Sequence, residues 1–454
     1  MRTTISIFLC KMISWACKIL KPIFKKEGSV LPGEVVNRIQ KNVLYNLKYP
    51  SSVVVVTGSS GKGSSVAMIA HILENSGKKV VWNKSGSNVR TAIITLVLSN
   101  TKVFSHKVDA DVLLLEMDER YIINTFKPGT ISHMVITNIT RDQPSRNAHP
   151  EIIFDKIMES IDEHMHLIIN ADDPIVSKAR FMHGGEITTF GVGKTSCDEE
   201  GEPEYAVDAA YCPSCQTKLK YASYHYGHIG LYDCPNCSFG RGHVDYEATE
   251  VDLKKGNFKI SESTLKLNKN AFFAVYYTLV AYTVCRLLNL KDEEILKEIN
   301  DDSMSSKRGK SYELDGRKME MLESKNENAL SYLQSIDYIV NADGKKKTVI
   351  MGFENVSRRY RFNDLSWLWD VPFEKLNVKE IDKIFLIGRF KYDVATRLDY
   401  AGFAKDKIVL VEDMANLLDE VVTESAGDIY TMVCFDMTGI ITKLLKERSD
   451  EKDN

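Results

Sequence analysis

The sequence predicts an α/β protein built on a doubly wound, mostly parallel sheet, with a cysteine-rich insertion and a second, smaller α/β domain in its last third. Three observations predict it. Short β-branched runs such as Val53–Val56 alternate with helical segments, the rhythm that covers both faces of a parallel sheet. That rhythm breaks between about 197 and 243, where two C-x-x-C pairs stand among many tyrosines. It restarts after a polar linker at 301–310, DDSMSSKRGK.

At 454 residues the chain has room for two or three domains, each with its own core. A net charge of −3 gives no reason to expect a nucleic-acid partner. The nine cysteines are an odd number in a large chain, and Cys10, Cys17, Cys197, Cys285 and Cys434 are scattered. This is not a disulfide framework, and it predicts a reducing, cytoplasmic setting.

The first 30 residues read as an amphipathic helix. Ile5, Phe8, Leu9, Met12, Trp15, Ala16 and Ile19 recur at helical spacing, while Lys11, Lys18 and Lys21 keep any uncharged run below the roughly 18–20 residues of a spanning helix. No small-residue cleavage site follows. The stripe is expected to pack on the protein body. Peripheral contact with the inner face of a membrane is the alternative, since both use the same pattern.

A first α/β domain is expected over 31–305. Val53–Val56 is strand material and runs straight into TGSSGKGSS and a helix to about Ser76. Further strands are expected at Lys79–Trp82, Val112–Glu116, Met134–Asn138 and Leu167–Asn170, and helices at Ala271–Leu288 and Asp292–Asn300. The last domain, 306–445, carries strand candidates Thr348–Gly352, Lys383–Gly388, Lys407–Glu412 and Ile429–Phe435, which suggest a small Rossmann-like sheet. The charged tail, 446–454, is expected to be disordered.

The loop from Thr57 to Ser65 follows a strand and opens a helix. Backbone N–H groups of Gly58, Ser59, Ser60, Gly61, Gly63 and Ser64 in such a loop cradle phosphates, and Lys62 neutralises their charge. The residue after the lysine is ordinarily Ser or Thr, which ligates Mg²⁺; here it is Gly63, and Ser64 or Ser65 is the candidate substitute. Glu116, first of the acidic run EMDE, ends a strand where it could hold Mg²⁺. Thr137–Gln143, which includes Asn138, ends the next strand.

Cys212, Cys215, Cys234 and Cys237 form C-P-S-C and C-P-N-C knuckles eighteen residues apart. Four thiolates at this spacing suit a tetrahedral, structural Zn²⁺ with no open position for water. His225 and His228 lie between the knuckles and are not needed as ligands.

Together the TGSSGKGSS loop, EMDE and TNITRDQ resemble the Mur ligases, which couple ATP to amide bonds in peptidoglycan precursors. LPGEVV (31–36), NADDP (170–174), the cysteine ribbon, LVAYTV (279–284) and NDLSWLWDVPFEKL (363–376) are similar to the ligase-like subunit of a two-subunit amidotransferase in that family. The resemblance covers most of the chain. It implies a Mur-ligase-like central P-loop ATPase domain that uses ATP and Mg²⁺. It also implies a separate glutaminase subunit of the GatD type, forming a heterodimer with the chain. The implied substrate is lipid II, whose D-glutamate α-carboxylate is activated as an acyl phosphate and amidated by ammonia from the glutaminase. Asn138 and Arg308 are the implied further ATP contacts. Asp364 is the implied third member of the partner's Cys-His pair, with Asp370 as runner-up and helix capping as the bland alternative.

The chain departs from that pattern in three places. Gly63 replaces the hydroxyl residue, Tyr277 stands where an Asn is expected near the adenine, and VSRRYRFN (356–363) replaces a short acidic-glycine stretch. A second class of function therefore stands beside the enzyme: a divergent paralogue that binds a glutaminase or a cell-wall precursor without turning over ATP.

Overall fold

Four consecutive valines, Val53–Val56, can be buried on both faces of a sheet, and they lie in an interior strand of the largest sheet. The structure, a computed structural model, describes every residue except 25–29, 85, 148, 202–207, 302–310, 356–363 and 453–454. It divides into two units, one of 1–139, 150–198 and 209–301, the other of 140–149, 199–208 and 302–454.

The strands of the first unit are β1 (Ser52–Thr57), β2 (Val80–Trp82), β3 (Val112–Glu116), β4 (His133–Ile136), β5 (His166–Asn170), β6 (Ile187–Val192), β7 (Lys220–Tyr226), β8 (Ile229–Asp233), β9 (Tyr246–Asp252), β10 (Asn257–Ile260) and β11 (Ser263–Lys266). Nine of them form one sheet in the order β11-β10-β9-β6-β5-β4-β1-β3-β2. The six strands from β6 to β2 in that order are parallel, and β9 joins them in parallel. The edge is antiparallel: β10 pairs with β9 and with β11 in opposite senses. This meander was not expected from the sequence, because YEATEVD and STLK are too polar and too short to read as strands. β7 and β8 form a separate antiparallel hairpin within the cysteine insertion.

Four helices precede or follow the early strands: α1 (Arg2–Phe24), α2 (Leu31–Ile39), α3 (Lys62–Asn75) and α4 (Arg90–Ser99). The LPGEVV segment is the start of α2, and its glycine has a packing reason. A Cβ on Gly33 would lie 1.9 Å from the Thr91 carbonyl oxygen, so only glycine lets α2 approach α4 this closely.

The N-terminal helix corrects an expectation. Ile7 and Cys10 face the protein, while Ile5, Phe8, Met12, Trp15 and Ile19, the stripe expected to pack on the body, are exposed. Periodicity locates an apolar face but does not say which face the protein covers.

The second unit holds β12 (Ser311–Leu314), β13 (Arg317–Glu323), β14 (Lys347–Gly352), β15 (Ile381–Ile387), β16 (Ile408–Leu410) and β17 (Asp428–Val433), in the order β12-β13-β17-β14-β15-β16. All neighbours are parallel except the β12–β13 hairpin. A core of Trp367, Phe373, Phe353, Tyr332 and Leu386 packs against it. The terminal helix Phe435–Lys452 includes residues expected to be disordered. Arg308 and the VSRRYRFN segment lie outside the described residues.

Candidate functional site

β1 sits at the point where the chain changes direction along the sheet, with β3 on one side and β4 on the other. Ligands of doubly wound sheets bind beyond the carboxyl ends of strands at such a point. Here β1 delivers Gly58–Gly61 and α3 starts at Lys62. Gly58 has φ +126°, and a Cβ on it would meet Thr137 Oγ1 at 2.3 Å. Gly61 is left-handed at φ +79° and turns the loop into the helix.

The loop is held from the β4 side. Asn138 Oδ1 accepts from the Ser60 N–H at 3.1 Å and from its hydroxyl at 3.0 Å, and the Asn138 carbonyl accepts from the Ser59 N–H at 2.8 Å. Thr137 donates its hydroxyl to the Ser60 carbonyl at 2.8 Å. Asn138, expected as a direct ATP contact, here shapes the phosphate loop. Thr137, singled out only as part of its motif, does the same.

From the β3 side come two carboxylates. Glu119 accepts from Lys62 Nζ at 2.7 Å and from the Gly58 N–H at 3.2 Å, and Lys62 also donates to the Gly58 carbonyl. Glu116 accepts at Oε1 from Asn88 Nδ2 at 3.2 Å. A Cβ placed on Gly63 would lie 3.0 Å from Glu116 Oε2, so the missing hydroxyl of residue 63 would have stood beside this carboxylate. The Ser65 hydroxyl, the candidate substitute, is buried and donates to the Gly61 carbonyl at 3.0 Å. The loop, Lys62, Glu116 and Asn138 are thus gathered at one place. Glu119, known from the sequence only as the last of the acidic run EMDE, is here the partner of Lys62. Tyr277 is buried in the helix Phe272–Leu287 and donates its hydroxyl to Asn268.

The four knuckle cysteines converge, with their sulfur atoms all within 4.8 Å of one another. Cys212 Sγ lies 3.6 Å from Cys237 Sγ, and Cys215 Sγ 3.4 Å from Cys234 Sγ. Four soft sulfur donors in this arrangement fit a tetrahedral metal ion. The hairpin between the knuckles is fastened to the sheet through NADDP. Asp172 accepts from Arg241 Nε at 2.6 Å, the Val192 N–H at 2.6 Å and the Tyr276 hydroxyl at 2.7 Å, and its carbonyl accepts from the Gly230 N–H at 2.9 Å. His225 bridges Asp198 at 2.8 Å and the Val192 carbonyl at 2.9 Å, and His228 lies 3.3 Å from Asp173. Both histidines are therefore engaged away from the sulfur cluster. Burial works against the Asp198 carboxylate, but the His225 hydrogen bond and charge hold it below the ordinary carboxylate range.

In the second unit, Asp364 Oδ1 accepts the Ser366 N–H at 2.9 Å, a local turn that leads into the short helix Ser366–Asp370. Trp367 from that helix is buried against Tyr332 and Phe353. Asp370 pairs with Arg141 at 3.0 Å. Asp364 remains half-buried at the helix entrance.

Residues 56–237 match the Mur ligase middle domain, and residues 325–437 match the MurT ligase C-terminal domain. The chain is 27% identical over 404 residues to the MurT subunit of the glutamine-hydrolysing lipid II isoglutaminyl synthase of Staphylococcus aureus (strain N315), covering 88% of each chain. It is 26% identical over 427 residues to the corresponding subunit of Streptococcus pneumoniae (strain ATCC BAA-255 / R6), covering 93% of each. The chain is thus similar along most of its length to MurT subunits, with separate matches to a Mur ligase middle domain and a MurT C-terminal domain. Among solved structures, the chain shares its fold with a pseudomurein peptide ligase type C from Methanothermus fervidus, at a TM-score of 0.66 and 18% identity over 94% of this chain and 85% of that one. It also resembles MurF from Acinetobacter baumannii, at a TM-score of 0.63 and 15% identity over 91% and 80%.

Proposed function

We propose that this chain is the ATP-using subunit of a glutamine-dependent amidotransferase that converts the D-glutamate of the lipid II stem peptide to D-isoglutamine. The observation that carries this is the near-full-length match to two MurT subunits, together with a formed phosphate loop on the chain itself. The γ-phosphoryl group of ATP passes to the α-carboxylate, turning a poor leaving oxygen into phosphate. Ammonia then attacks the acyl carbon and phosphate departs, leaving the amide. The loop N–H groups and Lys62 offset charge on the transferred group, for which Lys62 must exchange the Glu119 carboxylate for phosphate oxygens.

Glu116 is the carboxylate that would hold Mg²⁺, whose chemistry there is to neutralise phosphate charge. Position 63, beside that carboxylate, offers no side-chain hydroxyl to help hold the ion. Arg308 is proposed as a further phosphate contact. Cys212, Cys215, Cys234 and Cys237 would bind structural Zn²⁺ and take no part in the reaction.

Ammonia comes, in this proposal, from a GatD-like glutaminase bound as a heterodimer. Asp364 orients and stabilises the partner's catalytic histidine. Its half-exposed carboxylate supports that role, and the Arg141 ion pair of Asp370 counts against the runner-up. The test is co-expression with a GatD-like glutaminase, followed by mass spectrometry of lipid II incubated with glutamine and ATP. Amidation that needs both is expected; a complex that binds lipid II yet forms no amide would favour the non-catalytic paralogue.

A further inference from the structure

The N-terminal helix presents a stripe of large apolar residues to solvent, while Thr3, Ser6, Ile7 and Cys10 are buried against the protein. Ile5, Phe8, Met12, Trp15 and Ile19 are each between 52% and 67% exposed. Their alternating spacing of three and four residues places them on one stripe of α1. On the opposite side Ser6 donates to Gln40 at 2.9 Å, Thr3 accepts from the same amide at 3.2 Å, Ser14 lies 3.3 Å from Ser99, and Cys10 is buried. An ordinary surface helix does the reverse, burying its apolar side and showing water its polar one.

The charges around the stripe have one sign. Arg2, Lys11, Lys18, Lys21, Lys25 and Lys26 fall within the first 26 residues, and no Asp or Glu does. At about 100° per residue, Lys11 and Lys18 flank the stripe on one side and Arg2 on the other. Trp15, near its middle, is a residue type that favours the boundary between headgroups and hydrocarbon. Among the described residues no helix is long and apolar enough to cross a membrane. We infer that α1 lies in the plane of an anionic bilayer surface, with the Ile5–Ile19 stripe inserted and the flanking cations among the lipid headgroups.

A second copy of the chain fits less well. Pairing two such stripes would set Lys11 and Lys18 against their own kind, with no acidic residue on either helix to offset them. The inference does not rest on the amidation reaction, so either can fail without the other.

Co-sedimentation of the full chain with vesicles tests it. Wild type should pellet with phosphatidylglycerol–phosphatidylcholine vesicles, about tenfold or more weakly with pure phosphatidylcholine, and less as salt rises. Phe8→Ser/Trp15→Ser should lose about tenfold or more of that binding while its melting curve stays unchanged, because neither side chain supports the fold. Lys11→Glu/Lys18→Glu should lose the preference for phosphatidylglycerol. Failure of wild type to pellet would overturn the inference, as would equal pelleting of the stripe variant. A stripe variant that changes molar mass by light scattering, or loses a glutaminase partner, while keeping vesicle binding would overturn it in favour of a protein occupant.

Discussion

Lys62 Nζ lies 2.7 Å from Glu119 Oε1, and neither side chain is more than a tenth exposed. A buried pair of this kind is costly to break from one side only, because the remaining charge is left without water or a partner. Lys62→Met should therefore destabilise the nucleotide-free protein by about 3–5 kcal/mol as well as abolish ATP consumption. Lys62→Met/Glu119→Leu should regain much of that stability and none of the activity. Denaturant melts of the four proteins of this cycle measure the coupling; additive losses would mean the pair contributes no mutual stabilisation.

Gly63 stands beside Glu116 with only 3.0 Å between a Cβ placed there and the carboxylate oxygen. Gly63→Ser adds a hydroxyl at that point and should lower the Mg²⁺ concentration for half-maximal ATP binding by about tenfold, given one added oxygen ligand. Gly63→Val adds bulk without a ligand and should weaken binding. Calorimetric titration of nucleotide across a Mg²⁺ series distinguishes them, and identical Mg²⁺ dependence in all three would remove Glu116 from the metal site.

Asp364→Asn separates the observed local hydrogen bond of this side chain from its proposed role toward the partner's histidine. Asparagine still accepts the Ser366 N–H, so the helix entrance survives. It cannot stabilise an imidazolium, so glutamine-driven amidation should fall on the order of 10³–10⁴-fold while amidation supplied with free ammonia is retained. Parallel assays with glutamine and with ammonium chloride read this directly; equal loss in both would end the triad role.

The sulfur cluster and the NADDP contacts are separate features of the insertion. Cys234→Ser should lose bound zinc and lower the melting temperature, while Asp172, His225 and His228 keep the hairpin attached to the sheet. Metal analysis together with differential scanning calorimetry checks this. A metal-free variant as stable as wild type would argue against a structural ion.

The parallel strands were legible because each is a dense apolar run: Val53–Val56, Leu113–Leu115 and Ile168–Ile169 can be buried on two faces and little else. β13, RKMEMLE, was not, since charges at both ends mask a strand whose Met319 and Met321 enter the core. The phosphate loop, Lys62 and the cysteine knuckles carry their chemistry in spacing and could be named in advance. The partners of Lys62 and the loop could not, because Glu119 and Thr137 reach it through strand order rather than through sequence distance. The face of α1 that meets the protein was equally hidden: Ser6, Cys10 and Ser14 pack because Gln40, Thr95 and Ser99 happen to lie opposite them.

The most direct measurement is the ratio of ATP consumed to amide formed by this chain co-expressed with a GatD-like glutaminase, the proposed partner, and supplied with lipid II, glutamine and Mg²⁺. One ATP hydrolysed per D-isoglutamine formed, and none of either with Lys62→Met, is the expected result. No ATP consumption by the natural chain, with turnover appearing only in a Gly63→Thr variant, would contradict it.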